Sequence, residues 1–200
     1  MKIIIKQIVL AAALVAASAS VASAAGADVH NFANYNIRYV NPNNGDTGEK
    51  SWSVRGPYVA RVIKDYDFDI VGMQEVTGRN GGKSVNPSTG RSQLEDMKAW
   101  LANYSFLEWE RSGNNNAKDY SYNALAYKKD RYECVESGCF WLSPSPDTPG
   151  PGWDTDPDFS GLWRTCGWAK MKVRSTGEIF YFAVTHVNYG PSLDGRNSGE

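Results

Sequence analysis

The chain has 200 residues, enough for one sizeable domain, and carries 21 Lys and Arg against 22 Asp and Glu, a formal charge of -1. That balance excludes a polybasic surface, so broad electrostatic capture of long nucleic acid is not expected, and only a local basic patch is compatible with it. The 7 Trp, 11 Tyr and 7 Phe supply material for a large core.

The first stretch reads as a targeting segment. Lys2 and Lys6 form a basic region, Ile8 to Val15 is apolar, and Ala22-Ser23-Ala24 is a small-residue cleavage site. The apolar run is too short and too alanine-rich for a stable membrane anchor. Residues 1–24 are therefore expected to be a signal peptide, with 25–200 secreted or placed in the periplasm or another extracytoplasmic space. Cleavage removes two lysines and no acid, leaving 19 bases against 22 acids and a charge of -3.

A first strand is predicted over about Val29 to Tyr39, ending in a dense turn signal at Asn41-Pro42-Asn43-Asn44-Gly45-Asp46. Ser53 is a candidate cap for a helix over about Val54 to Asp65, where Val59, Val62, Ile63 and Tyr66 fall at helical spacing and Pro57 lies near the first turn. Ile70 to Val76 is a second, apolar strand. Strand, helix and strand with short links form a βαβ unit, so the two strands should be parallel and end at the same rim. Gly78 to Gly90 is a polar loop, and Ser92 to Trp100 is helical, with Leu94, Met97 and Leu101 on one face.

Further on, Tyr104 to Glu110 reads as a strand and Arg111 to Asp119 as a loop. Tyr122 to Lys128 and Tyr132 to Leu142 are strands whose link, Lys129-Asp130-Arg131, has the length of a hairpin. Ser143 to Ser160, with five prolines, is a stiff loop. Thr165 to Val173 and Glu178 to Thr185 form a second hairpin. Parallel and antiparallel strands with two helices make the chain α+β. Trp141 and Trp168 stand in apolar strand contexts and read as core. The three cysteines leave at least one thiol unpaired. Cys134 and Cys139 are expected on opposite faces of one strand, and small buried thiols are favoured over a Cys139–Cys166 bridge.

Three stretches share one design, an apolar strand ending in polar residues at a sheet rim. Phe32 to Arg38 delivers Asn36, Ile70 to Val76 delivers Glu75, and Phe182 to Asn188 delivers His186. A carboxylate in such a place is costly if buried unpaired. A hard cation would stabilise it, and Mg2+ takes one or two carboxylates plus substrate phosphate. The bland alternative is an ion pair with a lysine or arginine. Asn36 offers an amide donor and a carbonyl, a constellation that also suits a turn. His186 could move a proton near neutral pH or be a satisfied strand-end histidine. Arg38 and Arg164 could grip phosphate or form surface ion pairs. Neither a nucleophile elbow nor a P-loop is present.

In order, the chain shows Tyr35-Asn36-Ile37-Arg38, Trp52 and Arg55, Asp69-Ile70-Val71-Gly72-Met73-Gln74-Glu75-Val76 and Asn123-Ala124-Leu125-Ala126-Tyr127-Lys128-Lys129-Asp130-Arg131. It continues with Glu136 to Ser143, Arg164-Thr165-Cys166-Gly167-Trp168-Ala169 and Val184-Thr185-His186. Seven motifs in this order, spanning Val29 to Gly190, resemble the endonuclease/exonuclease/phosphatase family of DNase I-like and sphingomyelinase-like phosphoesterases. The resemblance implies a two-sheet αββα sandwich with the site at one rim. It implies Glu75 as ligand of Mg2+ or Mn2+, Asn36 and His186 as catalytic residues, and Arg164 and Asn188 at the substrate phosphate. The substrate would be a phosphoester: nucleic acid, nucleotide, phospholipid head group or sugar phosphate.

Many relatives have Asp where Asn188 stands and Glu where Ser121 stands, so two carboxylates near His186 are replaced. The family's Gly-Asp-x-Asn and Ser-Asp-His motifs, which carry the usual general base and its partner, do not occur before Glu200. The domain in 25–200 is thus expected to be incomplete at its C-terminal side and inactive alone. The competing readings are a catalytically degenerate member that binds a phosphorylated ligand or a protein, and an aromatic-rich carbohydrate-binding sandwich, which the βαβ unit fits poorly.

Overall fold

The computed structural model describes residues 29–40, 46–78, 86–110, 121–150 and 164–187. The expected signal peptide, much of the proline-rich loop and Asn188 lie outside these residues. Alternating and apolar runs form seven strands: β1 (Phe32–Asn36), β2 (Ile70–Thr77), β3 (Tyr104–Glu110), β4 (Ser121–Lys128), β5 (Tyr132–Trp141), β6 (Thr165–Val173) and β7 (Ile179–Thr185). Two helices, α1 (Trp52–Asp65) and α2 (Gln93–Trp100), separate the early strands. Asn36 is the last residue of β1, which is shorter than expected at both ends.

β1 pairs parallel with β2, as the βαβ reading requires, with Phe32 opposite Ile70. The first sheet has the order β1-β2-β4-β3 and the second β5-β6-β7. The sheets pack face to face, and α1 and α2 cover the outer face of the first. Val59, Ala60 and Ile63 of α1 and Leu94 and Met97 of α2 meet Val71, Met73 and Val76 there. Between the sheets lie Ile70, Leu125, Tyr132, Ala169, Met171 and Val173. The layers are therefore helix, sheet, sheet, the DNase I-like two-sheet sandwich. Among the described residues no helix covers the outer face of the second sheet.

Local structure departs from expectation at α1, β4, β5 and β6. Ser51, not Ser53, flanks the start of α1, and Pro57 lies inside the helix at its sixth residue, where it removes one ladder bond. α2 begins as expected, with a reciprocal capping box between Ser92 and Glu95.

The link 129–131 is not a hairpin. Both neighbours of β4 are taken, by β2 and β3, so β5 has no free edge to join and starts the second sheet instead. The change of sheet is held by charge. Asp69, fully buried, accepts from Lys128 Nζ at 2.9 Å, from Arg131 Nη1 at 2.7 Å and from the Asn31 backbone at 2.8 Å.

Trp168 lies opposite Gly138 on the outer face of β6, half-buried beside Tyr181, and is not core. A Cβ on Gly138 would meet its indole at 2.7 Å. A bulge between Cys134 and Glu136 turns Cys134, opposite Met171, and Cys139, opposite Gly167, to the same face of β5. Cys134, Cys139 and Cys166 are all free thiols.

Burial pushes the Asp69 carboxyl up, but the bonds from Asn31, Lys128 and Arg131 outweigh it and hold the group below its ordinary 3.8. A depressed carboxyl contributes stability that is fully present above the unfolded value and lost as pH falls through the folded one. Urea midpoints are therefore expected to be flat from neutral pH down to about 4 on Asp69's account and to fall below it. Asp69→Asn should lower the neutral-pH midpoint and flatten that acid limb. A midpoint that keeps its full acid dependence in the variant would count against this source.

Candidate active site

At the rim where β1, β2 and β7 end, three predicted residues meet. Asn36 Nδ2 donates to Glu75 Oε1 at 3.1 Å, and His186 Nε2 lies 3.7 Å from the same oxygen. The Tyr39 backbone N–H donates to Glu75 Oε2 at 3.1 Å. The Glu75 and His186 side chains are 19% and 21% exposed, so the rim is open to a ligand.

Glu75 reaches this place through a bulge. Met73 pairs with Ala124 and Val76 with Tyr122, so Gln74 and Glu75 together oppose the single residue Asn123. The extra residue lets Met73 and Val76 both face the helices and swings Glu75 to the rim, at a φ of +60°. A non-glycine residue in that region is strained by about 1–3 kcal/mol and persists only where the surroundings over-determine it. Here they do. Asn36 and Tyr39 hold the carboxylate, and Ile37 N donates to Gln74 O at 3.1 Å.

The turn after β1 is built to present these groups. Arg38 N donates to Asn36 Oδ1 at 2.8 Å, with Arg38 at a φ of +55°. Arg55 of α1 donates to Ile37 O at 2.6 Å, Arg38 O at 2.7 Å and Lys50 O at 2.9 Å. It also faces the buried Asp46 at 3.5 Å, which pairs with Arg38 at 3.0 Å. Gln93 of α2 donates to Arg38 O at 2.9 Å while its own carbonyl accepts from Thr77 N and Oγ1. Two helices thus fix one three-residue turn.

The donor set suits a hard cation. A carboxylate has about four lone-pair positions, and each Glu75 oxygen accepts one N–H here, leaving capacity on both. Among the described residues no group of three or more His, Cys, Asp and Glu could hold a metal ion; Glu75 is one carboxylate, and Mg2+ can be bound through one or two carboxylates plus substrate phosphate. Thiol chemistry has no support: burial pushes Cys166 up to about 11.

Searches against family models and against curated proteins found no match. Solved structures do match. An endonuclease/exonuclease/phosphatase from Bacteroides vulgatus is 35% identical, aligned over 78% of this chain and 51% of its own, with a TM-score of 0.61. A family protein from Bacteroides thetaiotaomicron is 33% identical over 78% and 50%, with a TM-score of 0.62. This chain belongs to the endonuclease/exonuclease/phosphatase family. A mannosyl-6-phosphatase of Bacteroides thetaiotaomicron is 32% identical over 79% and 51%, at a TM-score of 0.61. The chain spans about half the length of the structures it matches.

Within this endonuclease/exonuclease/phosphatase domain, Asn36, Glu75 and His186 come together as the sequence suggests, and Asn188 lies outside the described residues. Asn36 Oδ1 accepts from Arg38 N, a turn role its residue type also suits, and its amide serves Glu75. Arg164, the residue before β6, is 5% exposed. Ser121 opens β4 opposite Thr77. Sequence reasoning missed the Tyr39 N–H, Arg55 and Gln93 as holders of the turn. Gln93 carried a signal, a polar side chain at the start of an amphipathic helix that turns out to be fully buried. The Tyr39 contribution comes from backbone and leaves no mark in residue type.

Proposed function

We propose that this chain contributes the metal-holding half of an exported, Mg2+- or Mn2+-dependent phosphoesterase. The observation that carries the reading is the Glu75 carboxylate, held by Asn36 and Tyr39 N at an open rim beside His186. Glu75 would hold the cation. When bound, a divalent ion supplies electrostatic stabilisation of the charge that builds on the phosphoryl oxygens as water attacks. Asn36 keeps the carboxylate in place. His186 offers Nε2 as a hydrogen-bond or proton donor to the phosphate, and Arg164 is assigned to the phosphate for its positive charge. Asn188 is assigned to the phosphate as well.

The likeness to a mannosyl-6-phosphatase favours a sugar phosphate over the other phosphoesters, and the weak net charge gives no preference for a polymer. The family's Gly-Asp-x-Asn and Ser-Asp-His motifs, which carry the usual general base, do not occur in residues 25–200, and such a base contributes about 10²–10⁴-fold. Residues 25–200 alone are therefore expected to bind metal weakly and to turn over nothing.

The test assays the full-length protein on p-nitrophenyl phosphate, bis-p-nitrophenyl phosphate and mannose 6-phosphate with Mn2+ or Mg2+, then with EDTA. Hydrolysis that EDTA removes and either cation restores is the expected result. Hydrolysis indifferent to chelation would overturn the metal assignment.

A further inference from the structure

Glu75 and His186 belong to different sheets, yet their side chains lie 3.7 Å apart. Apolar faces such as Leu125 against Ala169 and Met171 give cohesion but no direction, so they do not by themselves fix the register of one sheet against the other. Something directional must do so near this rim.

Asn123 has the required position. It is fully buried on β4, opposite the Gln74-Glu75 bulge. Its Nδ2 crosses to the other sheet and donates to Thr165 O at 3.0 Å, with Thr165 Oγ1 at 3.3 Å. The same Thr165 carbonyl accepts from Thr185 Oγ1 at 2.8 Å, and Thr185 is the residue before His186. Two acceptors on Nδ2 fix which way the amide faces. As a result Oδ1 is buried with no hydrogen-bond partner among the described residues. Such a group is destabilising. A β-branched apolar residue would fill a buried strand position without that cost.

We propose that Asn123 is a positioning residue, a clasp between the sheets that sets Glu75 against His186 through Thr165 and Thr185. It sacrifices stability at Oδ1 for one directed bond across the sandwich. The packing beside it agrees: a Cβ on Gly167 would sit 2.1 Å from the Trp109 ring, so the indole of β3 lies directly against the β6 backbone where the two sheets meet.

The inference rests on Glu75 and His186 forming the site, and its test needs no metal and no turnover. The ring NMR signals of the two histidines in the full chain are recorded at one pH and assigned with His30→Asn. Glu75→Gln shifts the His186 signals in the parent. In Asn123→Val the same change is expected to shift them by roughly half as much or less, because the coupling between neighbours is weakened, with a urea midpoint equal to or above the parent's. An undiminished shift in folded Asn123→Val overturns the clasp. If that variant does not fold, Thr185→Val decides, since it removes the second donor to Thr165 O from a half-buried position. A reduced shift supports the proposal and an unchanged one overturns it. Absence of metal-dependent hydrolysis would fault the functional reading alone and leave these signals untouched.

Discussion

If Glu75 holds the cation as proposed, Glu75→Gln is expected to lower cation-dependent phosphoester hydrolysis by the full-length protein by roughly 10²–10³-fold, the range seen when an electrostatic stabiliser is lost. The substitution keeps shape and hydrogen-bond reach. A Gln amide has one oxygen for the two donors, so either Asn36 Nδ2 or Tyr39 N–H keeps its acceptor and the other faces an NH2 group. What is lost is the negative charge of a carboxylate that two separate donors hold in place. Magnesium binds through charge and hard oxygen, and an amide oxygen replaces the carboxylate poorly. The measurement is Mn2+ affinity by calorimetry beside turnover at saturating cation. Both should fall while the urea midpoint moves little. Unchanged Mn2+ affinity would remove Glu75 from the metal site, whatever happened to the rate.

The second large effect belongs to a residue that touches no substrate. Arg55→Met should cost about 3 kcal/mol of stability, the scale of breaking a buried charged network by removing one partner. The guanidinium bridges four backbone carbonyls and Asp46, lies over the Trp52 ring at 5.1 Å and is 19% exposed. Burial pulls the Arg55 pKa down and Asp46 pushes it back, but the group keeps its charge at any physiological pH. Without it the Asp46 carboxylate retains only Arg38 among the ion pairs described, and the turn carrying Tyr39 N–H loses its brace on the α1 side. Arg55→Lys should not rescue, because one ammonium cannot span carbonyls on both sides of the turn. Denaturant midpoints and Mn2+ affinity should therefore drop together in both variants. A stable Arg55→Lys with parental Mn2+ affinity would show that the fork geometry is dispensable.

The parts of this fold legible in the sequence are those governed by local pattern. Alternation and apolar runs located β2, β3, β6 and β7 to within a residue or so, and helical spacing located α1 and α2. The rule that links strand, helix and strand gave the parallel β1–β2 pair, and with it the meeting of Asn36 and Glu75. Features that depend on competition between distant partners were not legible. Lys129-Asp130-Arg131 has the length of a hairpin, and only the occupation of both edges of β4 sends the chain to a second sheet. The bulges at Glu75 and near Val135 add one residue to one strand, which residue type does not announce. Trp168 reads as core because its neighbours are apolar, yet its face is decided by pairing with Gly138. Asn123 stood in a motif, but its bond to Thr165 joins segments far apart in the chain.

The change of sheet after β4 also separates strand pairings that are near in the chain from pairings that are distant. The second sheet is a meander: β6 and β7 join through the short turn 174–178, so their contacts are nearly local. The first sheet is not. Phe32 must find Ile70, and Ile70 must find Tyr127, before β2 is flanked on both sides. Closing those loops costs chain entropy before any contact rewards it, which slows the step. The β6–β7 hairpin beneath His186 therefore closes at a lower entropic cost than the β1–β2 and β2–β4 pairings that carry Glu75.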